Sequence, residues 1–162
     1  MPLLPWTESI GNANQSGFVR PYQEIVEGET VDLSAVVVAS RLVLRTRRDA
    51  PRFFSASLSI RRQVLYSSGA LGVSLIGSPS RRIFWILSAW WDQSAINKFV
   101  LCEPHASISA RYRENMQAVT FVSWTVPATT LPVRWAEAMS RFAAWPNAGE
   151  RRQRRFHGWR DA

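Results

Sequence analysis

The sequence predicts an α+β domain with the element order β-α-β-β-α-β, which is the split βαβ or ferredoxin-like arrangement. Three observations support this fold class. Apolar stretches of strand length recur between residues 34 and 126, stretches of helical periodicity separate the first strand from the second and the third from the fourth, and the turn-forming residues GSPS join the second to the third. We therefore expect a four-stranded antiparallel sheet with the helices on one face.

The first half of the domain has the pattern of a strand, a helix and a second strand. Residues 34–45 alternate in polarity and are rich in β-branched side chains, as is typical of a strand. Asp49 is placed to cap a helix that runs to about Ser67, with Pro51 in its first turn, where a missing amide costs little. Residues 71–76 form the second predicted strand.

The most apolar stretch of the chain, residues 82–91, is predicted to be the central strand. It is too short to cross a bilayer. Successive side chains point to opposite faces of a strand, and here both faces are apolar: Ile83, Trp85, Leu87 and Ala89 on one, and Phe84, Ile86, Ser88 and Trp90 on the other. The face turned away from the helices therefore needs a cover, either more protein from this chain or a partner, and we infer a second sheet or a ligand against it.

Two helical segments follow the central strand. Asp92 is placed to cap the first, because its carboxylate can accept hydrogen bonds from the amides of the first turn. Pro104 ends that helix and lies in the first turn of the next. In this second segment His105, Ile108 and Tyr112 share one face, so the histidine is placed to look into a pocket between helices and sheet.

The last strand and a final helix complete the domain. Residues 118–126 have the strand pattern, and residues 132–144 that of a short amphipathic helix. The strand places Phe121, Ser123 and Thr125 on one face and Val122, Trp124 and Val126 on the other.

The chain divides into three regions by composition. Residues 1–33 are predicted to be an irregular arm, residues 34–145 the folded domain, and residues 146–162 a basic flexible tail. The net charge is +8, and residues 35–145 carry fourteen basic and five acidic side chains, so the folded part is itself basic. The tail has no recognised nucleic-acid-binding signature, and we do not expect nucleic acid as a partner.

Composition excludes several classes of site. The single cysteine, Cys102, excludes an internal disulfide and a cysteine-cluster metal site, so no metal site is predicted; its apolar neighbours favour core packing. The opening MPLLPWTESIGNANQSG lacks the basic start and apolar core of a signal peptide, and no membrane span is predicted. We expect a cytoplasmic protein.

Residues in the middle of the chain resemble a known family. The run GALGVSLIGSPSRRIFWILSAWWDQSAINKFVLCEPH, with ASRLVLRTRRDAPRFF before it and FVSWTVP after it, resembles the dimeric α+β barrel superfamily, and in particular an actinobacterial branch of unknown function related to antibiotic-biosynthesis-type and spheroidene-type monooxygenases. The residues that carry the resemblance are Gly69, Gly72, the Trp90-Trp91-Asp92 junction, Phe99, Pro104 and His105. The resemblance implies a homodimer with a small-molecule pocket.

The resemblance also implies candidate chemistry. In some relatives a histidine of this helical region binds haem iron or lines the pocket, and His105 is the residue here that could inherit either role, as a catalytic or a cofactor-binding group. Haem is thus a candidate cofactor. The candidate pocket residues are Ser88, Trp90, Ile108, Tyr112 and Trp124. The expected function is binding, with monooxygenase-like oxidation, of a small apolar or aromatic compound.

The residues leave other readings open. His105 fits equally a histidine at a helix start that bonds to backbone or water, and the tryptophans fit core and interface packing. A non-catalytic homodimeric binding or assembly module and a haem-binding protein are the alternatives to a monooxygenase-like oxidoreductase. Whether the protein is an enzyme is left open by the sequence.

Overall fold

The structure is a computed structural model that describes residues 3–8, 23–26 and 29–144. Strands and helices are each numbered in chain order. The strands are β1 (Leu3–Glu8), β2 (Gln23–Val26), β3 (Glu29–Asp32), β4 (Ser34–Leu44), β5 (Ala70–Ser78), β6 (Ile83–Trp90) and β7 (Met116–Pro127). The helices are α1 (Ala50–Tyr66), α2 (Gln93–Leu101), α3 (His105–Tyr112) and α4 (Trp135–Ala143).

One antiparallel sheet organises the fold, with the strand order β1-β5-β6-β4-β7. Strands β4 to β7 are the four predicted strands, and their order in the sheet is that of the split βαβ arrangement. The predicted fold class is therefore confirmed. Strands β2 and β3 form a separate hairpin.

The prediction that residues 1–33 form an irregular arm is wrong where the structure describes these residues. Residues 3–8 are strand β1, which pairs antiparallel with β5, so the sheet has five strands and extends beyond the predicted 34–145 domain. Strand β5 would otherwise end the sheet and expose a row of backbone donors and acceptors, which β1 satisfies. The pairing shifts register between Leu4 and Thr7, around Pro5, and a proline in so short a segment hid the strand pattern. The predicted tail, residues 146–162, lies outside the described residues.

One face of the sheet carries α1, α2 and α3. The core on this side joins α1 and α2 to β5 and β6, with Val64, Val73, Trp90, Ile96 and Phe99 among its buried members. Phe84 of β6 packs edge-on against Phe53 of α1, with ring centroids 4.9 Å apart. These contacts place the even-numbered side of β6 against the helices; the alternation had predicted that these residues share one face.

The other face, which we call the reverse face, is covered by the chain itself. Ala138 of α4 is fully buried in one cluster with Val37, Leu87 and Val122, and Trp6 packs against the same cluster. The ring of Phe142 stands edge-on to Trp85 at a centroid distance of 5.0 Å. The expectation that a second sheet or a ligand covers this face is therefore wrong over this area, because the apolar stripe of α4 packs on the face instead. The homodimer that the family resemblance implies stays a prediction.

The two predicted helix caps have different outcomes. Asp92 Oδ1 accepts a hydrogen bond from the Ala95 N–H at 2.8 Å, which confirms the cap of α2. Asp49 stands before α1 but makes no capping bond with its side chain. Its Oδ2 accepts instead from Thr46 Oγ1 at 2.8 Å and from Asn115 Nδ2 at 3.1 Å, so it ties the β4–α1 loop to the start of β7.

Candidate functional site

The junction between α2 and α3 is held by one side chain of α1, that of Gln63. Its Oε1 accepts from the His105 backbone N–H at 2.8 Å. Its Nε2 lies 3.3 Å from the Phe99 carbonyl oxygen and 3.2 Å from that of Cys102, and donates to both. The amide of Gln63 thus satisfies backbone groups left over at the end of α2 and the start of α3, and it fixes where α3 begins.

The side chain of His105 points back toward α2. Its Nδ1 lies 3.1 Å from the Val100 carbonyl oxygen, and its ring packs at a tilt against Phe99 with centroids 4.8 Å apart. A carbonyl oxygen can only accept, so the proton of the neutral ring resides on Nδ1 in this arrangement. Ser109 Oγ, one helical turn further on, lies 3.4 Å from Nδ1 and 3.5 Å from Nε2.

Burial sets the charge state of His105. Burial lowers the pKa of the His105 imidazole below its ordinary value of 6.5, and the hydrogen bond to the Val100 carbonyl, which favours the charged form, offsets only part of this effect. The ring is therefore neutral at pH 7. A neutral imidazole with Nδ1–H bonded to backbone has Nε2 as its basic atom.

Two of the candidate pocket residues, Ser88 and Trp90, lie on the central strand and face the helix side of the sheet, where His105 also lies. Trp90 is 2% exposed, and its ring packs against Phe99 at 4.9 Å, so Phe99 lies between Trp90 and His105. Trp90 Nε1 donates to Ser88 Oγ at 3.0 Å, two residues back on the same face of β6. This hydrogen bond satisfies the indole donor and a buried hydroxyl together.

The remaining candidates separate into two groups. Ile108 packs at the boundary between the core around Trp90 and the core around Phe84. Tyr112 belongs to the second core, where its ring stands edge-on to Phe53 at 5.0 Å. Trp124 lies on the reverse face, in the cluster of Ala138, with the Arg141 guanidinium 4.6 Å from its ring centre. The sheet therefore separates Trp124 from Ser88 and Trp90, and one pocket does not contain all six predicted residues.

A surface groove of about 400 Å³ opens on the outer side of the α2–α3 junction. It is lined by Gln63 and Tyr66 of α1 and by Cys102, Glu103 and Pro104. His105 and the five candidate pocket residues do not line it. Cys102 is exposed there, so the expected core packing of this residue is wrong: it stands just beyond the last residue of α2, where the apolar side of that helix no longer faces the core.

Sequence reasoning missed Gln63 and Ser109 as neighbours of His105. Ser109 follows His105 by four residues on one helix, which is a spacing that places side chains side by side. Gln63 had no such signal, because its partners lie 36 to 42 residues further along the chain.

The surroundings of His105 do not fit a haem. Nδ1 is bonded to backbone, Ser109 Oγ lies 3.5 Å from Nε2, and Phe99 covers the ring. An axial ligand needs an open line from its nitrogen to the iron and a flat apolar slot beside it.

Among the described residues, no group of three or more histidine, cysteine, aspartate or glutamate side chains could hold a metal ion. No helix in that part of the chain is long and apolar enough to span a membrane.

Comparisons with known proteins support the fold. No family model matches the sequence, and no curated protein matches it. Among solved structures, a Pseudomonas aeruginosa protein matches with a TM-score of 0.54 at 13% identity over 60% of this chain and 99% of that one. A conserved protein from Methanosarcina mazei matches at 0.51 and 13%, over 57% and 93%. An antibiotic biosynthesis monooxygenase matches at 0.50 and 12%, over 55% and 95%. At such identities the likeness establishes a shared α+β fold and leaves the branch and the activity open.

Proposed function

We propose that the protein binds a small apolar or aromatic compound between the α2–α3 segment and the helix-covered face of the sheet, and oxidises it in a monooxygenase-like reaction. The observation that carries the proposal is the neutral, partly buried His105 packed against Phe99 and, through it, near Trp90. A site lined by the Phe99 and Trp90 rings, with His105 Nε2 as its basic atom, suits a flat aromatic substrate that carries an acidic hydroxyl. The shared fold with an antibiotic biosynthesis monooxygenase supports the reaction class.

His105 would act as a general base. Its Nδ1–H is fixed by the Val100 carbonyl, so Nε2 is the basic atom. It would accept a proton from a bound phenol after the Ser109 hydroxyl, 3.5 Å away, has turned aside. The phenolate formed is a far better electron donor than the phenol, so the substrate itself supplies all the electrons that reduce oxygen. A ring C–H bond breaks and a C=O bond forms there with one oxygen atom. The ring hydrogen and the phenolic hydrogen leave with the other oxygen atom as water, and the phenol becomes a quinone. Phe99 and Trp90 would have to move by a rotamer step to admit the ring.

The test is binding and oxygen uptake with simple phenols. We expect 1-naphthol and dihydroxynaphthalenes to quench tryptophan fluorescence saturably and to cause oxygen consumption. His105→Gln should retain binding and lose about 100-fold in rate, a loss typical of removing a general base. His157→Gln, which changes the second histidine of the chain, is the matched control and should retain the rate. Saturable binding with no oxygen uptake in the unaltered protein would exclude the enzymatic part of the proposal.

A second candidate is a non-catalytic homodimeric module, and the sheet edge favours it. Strand β7 is twelve residues long and stands last in the strand order of the described sheet. Val119 on this strand is 41% exposed. A long, partly apolar edge is a template for pairing with a second copy. Sedimentation equilibrium tests this: a dimer that Val119→Lys converts to monomer, together with no turnover of any phenol, would favour the module over the enzyme.

A further inference from the structure

Three segments that connect strands and helices meet at one end of the sheet, which we call the basic end and define as residues 45–52, 79–82 and 111–116. Backbone hydrogen bonds hold them together: Leu44 N–H donates to the Arg82 carbonyl at 2.9 Å, and Arg45 N–H donates to the Asn115 carbonyl at 2.8 Å. The Asn115 side chain in turn donates to Asp49. Arg45 Nε donates to the Met116 carbonyl at 3.1 Å. Segments far apart in sequence thus form one surface.

This surface holds most of the positive charge of the folded domain. It contains eight arginines and two acidic residues, a formal excess of six positive charges. The rest of residues 35–145 contributes six basic and three acidic side chains. The arginines are Arg45, Arg47, Arg48, Arg52, Arg81, Arg82, Arg111 and Arg113.

Four arginines of the basic end have no close carboxylate partner among the described residues. Arg47, Arg48, Arg52 and Arg81 are exposed, and none of them lies within 4 Å of a carboxylate of the described residues. The carboxylate of Asp49 is engaged by Thr46 and Asn115. Like charges held close together by a rigid loop junction raise the local potential, which favours an anionic partner over isolated counterions.

The sequence alone predicts no nucleic-acid partner, because there only the tail is a candidate for binding one. From the basic end of the folded domain we propose instead that this surface binds the sugar–phosphate backbone of double-stranded nucleic acid without reading its bases. Guanidinium groups match phosphate oxygens in pairs, and every basic residue of this surface is an arginine. The four strands β5, β6, β4 and β7 span roughly 15 Å at their ends. A duplex presents about one phosphate per 1.7 Å of axis, so roughly nine phosphates lie along that span, enough to engage the exposed arginines.

Two other anionic partners fit this surface less well. A membrane surface favours exposed apolar side chains beside the basic ones. The large exposed apolar residues of the described chain, Leu58, Tyr66, Leu101 and Val119, all lie outside the basic end. A single strand is held mainly by aromatic stacking. Tyr112 is the one aromatic residue of the three segments, and it is buried against Phe53.

The experiment compares two triple variants of the full chain that carry the same change in net charge. The first, Arg47→Glu/Arg48→Glu/Arg81→Glu, alters the basic end. The second, Arg62→Glu/Lys98→Glu/Arg134→Glu, alters exposed basic residues elsewhere on the described surface. Fluorescence anisotropy with a labelled 20-base-pair duplex, as DNA and as RNA, measures binding between 50 and 300 mM salt.

We expect the unaltered protein to bind both duplexes. The basic-end variant should bind at least about tenfold more weakly, with a salt slope lower by about 2 to 3, since each lost phosphate contact removes about 0.9 from it. The control variant should stay within about threefold of the unaltered protein. Equal losses in both variants, or unaltered binding by the basic-end variant, would overturn the proposal. So would tighter binding to a single strand of equal length, to phosphatidylserine vesicles or to polyglutamate.

Discussion

The indole ring of Trp6 lies directly against the Cα of Gly72, on the reverse face of the sheet. A methyl group built on Gly72 would overlap the Cζ2 and Cε2 atoms of Trp6 and lie 2.7 Å from its Nε1, far inside van der Waals contact. The contact is possible only because residue 72 has no side chain. Trp6 thereby packs on the sheet where β1 pairs with β5.

Gly72→Ala should therefore displace Trp6. We expect the free energy of unfolding to fall by about 1 to 3 kcal/mol, the usual range for forcing an extra methyl group into a packed site, as measured by urea unfolding. In a Trp6→Ala background the same substitution should cost much less, because the clashing ring is gone. Gly77→Ala is the comparison: its methyl group would meet Phe54 Cδ2 at 3.3 Å, which is a tight contact without overlap, so it should cost less than Gly72→Ala. Equal losses in both backgrounds would mean that Trp6 does not occupy this position.

The buried His105 should make stability depend on pH below 6.5. The folded state holds the pKa of His105 below its unfolded value of 6.5, so the unfolded chain binds more protons between these two values. The free energy of unfolding is then fully retained above about pH 6.5 and falls as the pH decreases through this window. Urea unfolding at closely spaced pH values measures the slope.

His105→Gln should remove this slope, and His157→Gln should leave it in place. The contribution of Asp49 lies at lower pH: hydrogen bonds from Thr46 and then Asn115 lower its pKa from 3.8, so its stabilisation is lost only as the pH falls below that value. A free energy of unfolding that rises between pH 6.5 and 5.5 would contradict the burial of the imidazole.

Gln63→Leu should loosen the α2–α3 junction. The substitution keeps the approximate shape of the side chain and removes the partner of the His105 N–H and of the Phe99 and Cys102 carbonyls. We expect a loss of about 1 to 3 kcal/mol, because backbone groups lose their partners in a partly buried site. The amide of His105 should also exchange its hydrogen faster, as measured by NMR. Ser59→Ala, an exposed change on the same helix, should alter neither quantity.

Trp90→Ala should cost more than Trp85→Ala, although both residues lie on the central strand. Trp90 is 2% exposed and packs against Phe99, so its removal leaves a cavity that costs about 3 to 5 kcal/mol. Trp85 is only partly buried, between Arg41 and Phe142, and less apolar area is lost with it. Thermal unfolding followed by circular dichroism compares the two. A larger loss at Trp85 would mean that the reverse face is the main core.

Several features were predictable because they depend on neighbours in the sequence. The alternation along β6 assigned Trp90 and Ser88 to one face and Trp85 to the other, and the structure places Phe99 against the first and Phe142 against the second. The Asp92 cap is a contact between residues three apart. The placement of His105 at the start of α3 also follows from local signals, namely the proline before it and the apolar spacing after it.

Other predictions failed where contacts join distant parts of the chain. Trp90 and Trp124 were assigned to one pocket, but β7 turns Trp124 toward α4. The irregular arm contains β1, whose pairing with β5 joins residues about 70 apart, and Trp135 of α4 reaches across the reverse face to donate to Ser74 Oγ at 2.9 Å. The spacing of apolar residues within a segment shows which of its faces is buried. It does not show which other segment of the chain will pack against that face.

The amino-acid order by itself determined the four strands β4 to β7, the helices between and after them, which residues share a face of a strand, and the general excess of arginine. Only the tertiary structure decided that α4 and Trp6 cover the reverse face, that Gln63 fixes His105, and that arginines from three loops form one basic end. The physical reason is the distance along the chain between interacting residues. Strand alternation and helix capping depend on side chains two to four residues apart. Asp49 and Asn115 at the basic end are 66 residues apart, and they meet only after β4 and β7 have paired.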